Sequence, residues 1–191
     1  HHGGFEAGGG RPTHPYPGRK AGYCIAIDIG ARRLGLILTD LNNEIISRQS
    51  IPISRQAFSH VYQQIYLAID KLIRDIPPCP YGLIGISLAV RGIIDLDGVI
   101  RFIPKLQWHN IDIKSLLEQR YHVPVYIDND GNLAASMESR LHPQYEELTV
   151  LCITDVISCG MISNGQLIRG YLALPMPLGT TPSTSRRQSN A

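Results

Sequence analysis

Three strand-like segments follow one another at the start of the ordered sequence, before any helix. The first two are short and apolar, at residues 24–29 (CIAIDI) and 34–39 (LGLILT), and the third covers residues 45–53. Residues 40–44 (DLNNE) between the second and third are rich in the Asp and Asn that tolerate turn conformations. This succession predicts three antiparallel strands and excludes a dinucleotide-binding fold, which would begin β-α-β.

An amphipathic helix comes next, and the rest of the chain alternates helices and strands. Apolar residues recur every three or four positions from Phe58 to Ile76, with Ser54 as the expected N-cap and Pro77 ending the helix. Residues 83–90 (LIGISLAV) show no polar alternation, which is typical of a strand covered on both faces. The later segments are a turn at 95–98 with a short strand after it, a helix at 113–121, a strand at 123–127, a polar turn at 128–132 feeding a helix to 141, and strands at 149–153, 160–162 and 166–169.

This order predicts an α/β protein of the ribonuclease-H-like, actin-like type. We expect an N-terminal lobe at residues 23–121 and part of a second lobe at 122–170. Residues 1–22 are rich in Gly and Pro and predict a flexible linker, and the polar residues 171–191 predict a disordered tail.

Charge and composition exclude several classes of function. The net charge of +2 arises at the two ends, and the middle of the chain has 13 basic against 15 acidic side chains, so we expect no DNA-binding surface on the globular part. The sequence has no apolar run near 20 residues and no signal-peptide pattern, which predicts a cytoplasmic protein without membrane contact. Four cysteines without a CxxC pair and histidines without ligand spacing predict no metal and no cofactor.

Four motifs in consistent order carry a family resemblance. They are IAIDIG (25–30), IGISLAVRGIIDLDG (84–98), VPVYIDNDGNLAA (123–135) and ISNGQLIRG (162–170). Together they resemble the ROK family of sugar kinases and sugar-responsive repressors, over about residues 23–170. The upstream GGGRP (8–12) resembles the linker of the family's NagC-like regulators. That resemblance implies a sugar-kinase type of actin-like fold, a homo-oligomer, and DNA contact only through a winged-helix domain preceding the linker.

The two phosphate loops that the resemblance implies are degenerate. Where the family's kinases have Asp-x-Gly-Gly-Thr, this chain has Asp28 and Gly30 followed by Ala31 and Arg32. The second loop, Thr-Gly-rich in the kinases, reads TDVISCG from Thr154 to Gly160 with one glycine and one acid. An acid and bulky side chains beside a triphosphate disfavour ATP binding.

The sugar-binding residues are better preserved. By resemblance, Asp130 falls on the family's catalytic base and Asn129 on a residue that hydrogen-bonds sugar hydroxyls. Gly92 and Lys105 fall on two further sugar-site positions, Gly92 after Arg91 in place of a Pro-Gly pair and Lys105 in place of an Asn. The alternative interpretation of Asn129 and Asp130 is that they only cap the following helix.

We therefore expect a fragment that senses a sugar or sugar phosphate for a transcriptional repressor and lacks kinase activity. One alternative is an ATP-dependent sugar kinase that uses Asp130 as its base. Another is a fragment that binds no ligand and only folds or dimerises, because the family's later Glu-x-Gly-His segment and cysteine-rich zinc loop do not occur in the sequence.

Overall fold

The computed structural model describes residues 18, 20–154 and 156–169. The predicted disordered tail (171–191) lies outside these residues, as does the predicted linker except for residues 18 and 20–22. The elements are β1 (Tyr23–Ile29), β2 (Arg33–Asp40), β3 (Ile45–Pro52), α1 (Phe58–Arg74), β4 (Leu83–Val90), β5 (Ile93–Ile94), β6 (Ile100–Ile103), β7 (Trp108–Ile111), α2 (Ile113–Tyr121), β8 (Val125–Asn129), α3 (Asp130–Leu141), β9 (Leu148–Ile153), β10 (Ile157–Ser163) and β11 (Gln166–Ile168).

A five-stranded sheet with the order β3-β2-β1-β4-β8 organises the first lobe. The three leading strands pair antiparallel as predicted, whereas β1 pairs parallel with β4 and β4 pairs parallel with β8. The parallel pairs require crossover connections, which α1 and α2 supply. This strand order is that of the predicted ribonuclease-H-like fold.

The hydrophobic core lies between one face of this sheet and α1. Ile25, Ile27 and Leu36 of the sheet are almost fully buried, and Ile65 and Leu72 of α1 are completely buried. Removing each such side chain from water contributes about 1.5–3 kcal/mol. The apolar residues whose spacing predicted α1 thus form the face of the helix that packs on the sheet.

The start of α1 differs from the prediction. The N-cap is Ala57, which makes no side-chain cap hydrogen bond, so the prediction of Ser54 as N-cap is wrong. Trp108 Nε1 donates a hydrogen bond to the Gln56 carbonyl oxygen at 2.6 Å. This contact joins the residue before the N-cap to a part of the chain 52 positions away, and no local pattern encodes it.

Between β4 and α2, the chain forms a small antiparallel sheet of β5, β6 and β7. The predicted turn at 95–98 is present, and Asp95 Oδ1 accepts the backbone N–H groups of Asp97 and Val99. Burial raises the pKa of Asp95, but these hydrogen bonds and the guanidinium of Arg101 together lower it by more than burial raises it. The pKa of Asp95 therefore lies below its ordinary value. The sequence did not predict β7.

The strand β8 continues beyond the predicted end of the first lobe at Tyr121. Asp128 and Asn129, predicted as a turn, are in register with Ala89 and Val90 of β4 and belong to the sheet. The helix α3 begins at the next residue.

After α3, a three-stranded sheet with the order β11-β10-β9 packs against this helix. Leu151, Ile153 and Met161 are 60%, 69% and 47% exposed on the strands of this sheet. In the described part of the chain, no helix is long and apolar enough to span a membrane.

Candidate functional site

The carboxyl ends of β1, β4 and β8 meet at one edge of the central sheet because the three strands run parallel. Asp28 lies near the end of β1, Arg91 directly follows β4, and Asn129 ends β8 with Asp130 beginning α3. Ligand sites of open α/β sheets occur at such an edge. The fold therefore brings together residues from three of the motifs.

Arg91 occupies the centre of this edge and contacts two carboxylates. Its Nη1 lies 3.1 Å from Asp28 Oδ1, and its Nη2 donates to Asp28 Oδ2 at 3.2 Å. Its Nε lies 3.6 Å from Asp130 Oδ2 and makes no hydrogen bond. The guanidinium thus joins the end of β1 to the start of α3 by one hydrogen-bonded pair and one looser ion pair.

Asn129 is buried, with 3% of its surface exposed, and both halves of its amide are engaged. The Oδ1 accepts the Gly131 N–H at 2.8 Å as the N-cap of α3, and the Nδ2 donates to the Gly92 carbonyl at 3.0 Å. The capping interpretation therefore holds for Asn129. These two hydrogen bonds leave one N–H of Nδ2 and one lone pair of Oδ1 uncommitted, in a side chain that is almost fully buried.

Asp130 is the first residue of α3, with a side chain that is 14% exposed. Its Oδ1 accepts the Gly131 N–H at 3.1 Å, and the positive end of the helix dipole favours a negative charge at this position. Its Oδ2 faces Arg91. A ligand hydroxyl that reaches this oxygen must share it with the guanidinium.

Of the two further predicted sugar-site residues at this edge, Gly92 is buried and Lys105 is exposed. Gly92 is buried, and a Cβ on it would overlap the Phe102 carbonyl oxygen, so packing alone requires a glycine there. Lys105 is exposed and lines an open cavity of about 650 Å³, which we call the cationic cleft. The cleft is lined by Asp28, Gly30, Ala31, Arg32, Arg33, Gln56, Arg91 and Lys105.

The first predicted phosphate loop is closed by its own hydrogen bond. The Gly30 N–H donates to the Arg33 carbonyl at 3.0 Å, so it is not free to bind phosphate. A Cβ on Gly30 would lie 3.0 Å from both the Arg33 carbonyl oxygen and Arg91 Nη1. The glycine therefore permits the close approach of Arg91.

The second predicted phosphate loop joins β9 to β10. Thr154 donates its N–H and its hydroxyl to the Val156 carbonyl, at 3.0 and 3.1 Å, and β10 begins at Ile157. Gly160 lies inside β10, where a Cβ on it would overlap the carbonyl of Gly131 in α3. This position agrees with the predicted strand at 160–162, and the glycine permits the close packing of α3 on β10.

A third ion pair lies beside the site. Asp128 Oδ2 is 2.9 Å from Arg169 Nη2, and its Oδ1 accepts from the Asn132 amide at 2.8 Å. These residues and Lys114 line a smaller cavity of about 290 Å³. The sequence analysis missed Asp128 because the end of β8 looked like a turn. Within residues 18, 20–154 and 156–169, no group of three His, Cys, Asp or Glu side chains could hold a metal ion.

Comparison with known proteins identifies the family. A sequence model of the ROK family matches residues 24–179. The chain belongs to the ROK family. It is 35% identical over 178 residues to the xylose repressor of Bacillus subtilis (strain 168). This alignment covers 92% of this chain and 46% of that protein. It is 24% identical over 161 residues to a glucokinase of Halalkalibacterium halodurans (strain ATCC BAA-125). That alignment covers 82% of this chain and 49% of the enzyme.

Solved structures of the ROK family confirm the fold. The crystal structure of a ROK family transcriptional regulator, a homologue of the Escherichia coli MLC protein, superposes with a TM-score of 0.73 at 15% identity. The alignment covers 88% of this chain and 43% of that one. The chain therefore has the actin-like, sugar-kinase type of fold and spans about half the length of the curated relatives it matches.

Proposed function

We propose that this chain is the sugar-sensing part of a ROK-family transcriptional repressor and does not phosphorylate its sugar. The observation that carries the proposal is the first predicted phosphate loop, where the Gly30 N–H donates to the Arg33 carbonyl and is not free to bind a nucleotide phosphate. The identity of 35% to a xylose repressor over 92% of the chain supports the repressor class. DNA contact belongs to a separate domain, and the whole repressor is a cytoplasmic homo-oligomer.

The effector site of this proposal is the edge between Arg91 and α3. Asp130 supplies a carboxylate that can accept hydrogen bonds from two neighbouring hydroxyls, which suits a polyol. Asn129 acts indirectly, because it fixes the start of α3 and the loop at Gly92 relative to each other. A sugar that binds Asp130 competes with Arg91 and thereby weakens the link between the two lobes. Sensing then follows from different sugar affinities of the linked and unlinked states.

Calorimetric titration of the chain with pentoses, hexoses and amino sugars, with and without Mg-ATP, tests the proposal. We expect binding of one sugar, no effect of ATP, and at least a tenfold loss of affinity in Asp130→Ala. Asp97→Ala removes an exposed carboxylate from the turn after β5 and is the matched control. Absence of binding by every sugar would refute the sensing role of this chain.

A sugar kinase is the second candidate, favoured by the position of Asp130 and by the glucokinase relative. A coupled assay of ADP formation separates it from the sensor. Sugar-dependent ADP formation that disappears in Asp130→Asn would establish the kinase. We expect none, because Arg91 faces the carboxylate that would have to accept the proton of the sugar hydroxyl.

A further inference from the structure

One face of the sheet formed by β9, β10 and β11 is turned away from α3. Gly160 of β10 packs on Gly131 of α3, so the residues that alternate with Gly160 point to the opposite side of the sheet. With their partners in register, these residues are Thr149, Leu151, Ile153, Ile157, Cys159, Met161, Ser163, Gln166 and Ile168. We call this set the outer sheet face, and none of its side chains is charged.

The large apolar side chains of the outer sheet face are open to solvent. Leu151, Ile153, Met161 and Ile168 are between 47% and 69% exposed. Among the described elements, only α3 packs extensively against this sheet, and it lies on the other face. A contiguous apolar surface without charges is typical of a face that another segment or molecule covers.

The size of the outer sheet face favours a short segment over a second copy of the chain. Three strands spaced about 4.8 Å apart, with the seven residues of β10 rising about 3.3 Å each, give a face of about 300 Å². A stable dimer buries about 800 Å² on each partner. A segment attached to the same sheet needs less area, because its tether holds it at a high effective concentration.

Residues 171–178 have the composition and the position of such a segment. They read YLALPMPL and contain no charged side chain, whereas residues 179–191 hold the polar and basic side chains typical of a disordered tail. They begin two residues after β11, which is an edge strand of this sheet. Eight extended residues span about 26 Å, which is enough to follow the whole length of β10, about 23 Å.

We propose that residues 171–178 dock on the outer sheet face and cover Leu151, Ile153 and Met161. The partner of this surface is therefore a segment of the same chain, held by apolar side-chain contacts. The prediction of disorder then applies to residues 179–191. Docking involves none of the residues around Arg91 and Asp130, so it is independent of the proposed sugar site.

Two native thiols report on the docking in the complete chain. Cys159 is exposed on the outer sheet face. Cys24 lies on the face of the central sheet opposite to α1, because its neighbours Tyr23 and Ile25 point into the core. Labelling with a maleimide, followed by mass spectrometry of the peptides, gives the reaction rate at each thiol separately.

Shortened chains test whether residues 171–178 shield the outer sheet face. A chain shortened to end at Gly170 should label Cys159 at least about fivefold faster than the complete chain, because the docked segment must open before the thiol reacts. A chain shortened to end at Leu178 should label Cys159 at the rate of the complete chain. The rate at Cys24 should be the same in all three.

Substitutions in the complete chain provide a second test that does not shorten the protein. Leu172→Asp combined with Leu174→Asp should reproduce the faster labelling of the Cys159 thiol, since burial of unpaired carboxylates disfavours docking. Thr180→Asp combined with Thr181→Asp adds the same charge beyond the segment and is the matched control. If the shortened chains do not fold, as measured by circular dichroism, these two variants decide the question by the same rates.

Three results would overturn the docking. The first is an equal labelling rate at Cys159 in the complete chain, in the chain that ends at Gly170 and in the leucine-to-aspartate variant. The second is faster labelling at Cys24 in place of Cys159, which would assign the segment to the central sheet. The third is a rate at Cys159 that falls as the protein concentration rises, together with a dimer in light scattering, which would assign the face to a second copy of the chain.

Discussion

Replacement of Asn129 tests whether its amide holds the site together. Asn129→Ala removes the N-cap of α3, a loss of about 1 kcal/mol, and leaves the buried Gly92 carbonyl without its donor, a loss of about 1–3 kcal/mol. The free energy of unfolding should fall by about 2–4 kcal/mol. With a urea m-value of about 2 kcal/mol/M, a loss of 3 kcal/mol moves the unfolding midpoint by about 1.5 M.

Two further variants make the unfolding assay specific. Asn129→Ser keeps an oxygen that can cap α3 but cannot reach Gly92, so its loss should be about 1–3 kcal/mol and smaller than that of the alanine variant. Asn42→Ala changes an exposed residue of the β2–β3 turn and should stay within about 0.5 kcal/mol of the parent. An unfolding midpoint of Asn129→Ala equal to that of Asn42→Ala would refute the conclusion that the Asn129 amide holds α3 and the Gly92 loop together.

Three other predictions concern packing, charge and a half-buried hydroxyl. Gly160→Ala should lower the thermal midpoint by several degrees because its Cβ overlaps the facing backbone of α3, whereas Gly35→Ala places its Cβ 3.7 Å from its nearest neighbour and should not. The backbone N–H of Asn164 lowers the pKa of Glu147 below its ordinary value of 4.5. The ionised Glu147 therefore contributes stability above that pH, and this contribution is lost as the pH falls through the lowered pKa. The free energy of unfolding of Glu147→Gln should depend less on pH across this range, and a pH dependence equal to that of the parent would contradict the contact. Tyr121→Phe removes hydroxyl hydrogen bonds between α2 and α1 and should lower the free energy of unfolding by about 1 kcal/mol in urea, with no change as the refuting result.

The sequence pattern predicted the elements whose evidence is local. The period of α1 and the apolar strands β1, β2 and β4 each follow from side chains close together in the chain, and the structure places them within a few residues of the predicted bounds. The predicted order also led to the correct fold class, because three leading hairpin strands leave few alternatives.

The misplaced features depend on distant contacts instead. Trp108, far along the chain, donates a hydrogen bond to the Gln56 carbonyl just before α1, and Asp128 of β8 is in register with Ala89 of β4. The packing role of Gly160 follows from the proximity of α3, which a pattern of single residues does not encode. Arg91 was visible in the sequence only as a departure from a motif, and its position between two carboxylates required the folded sheet.

The strand order of the central sheet also has a consequence for how the chain folds during synthesis. The hairpins β1–β2 and β2–β3 join neighbouring segments, so they can form as soon as they leave the ribosome. The exposed edge of β1 must then wait for β4, and β4 for β8, since each parallel pair closes a much longer loop. The nascent protein therefore extends its central sheet from β1 through β4 to β8, and the residues of the site at the ends of β4 and β8 come together only after the hairpins have formed.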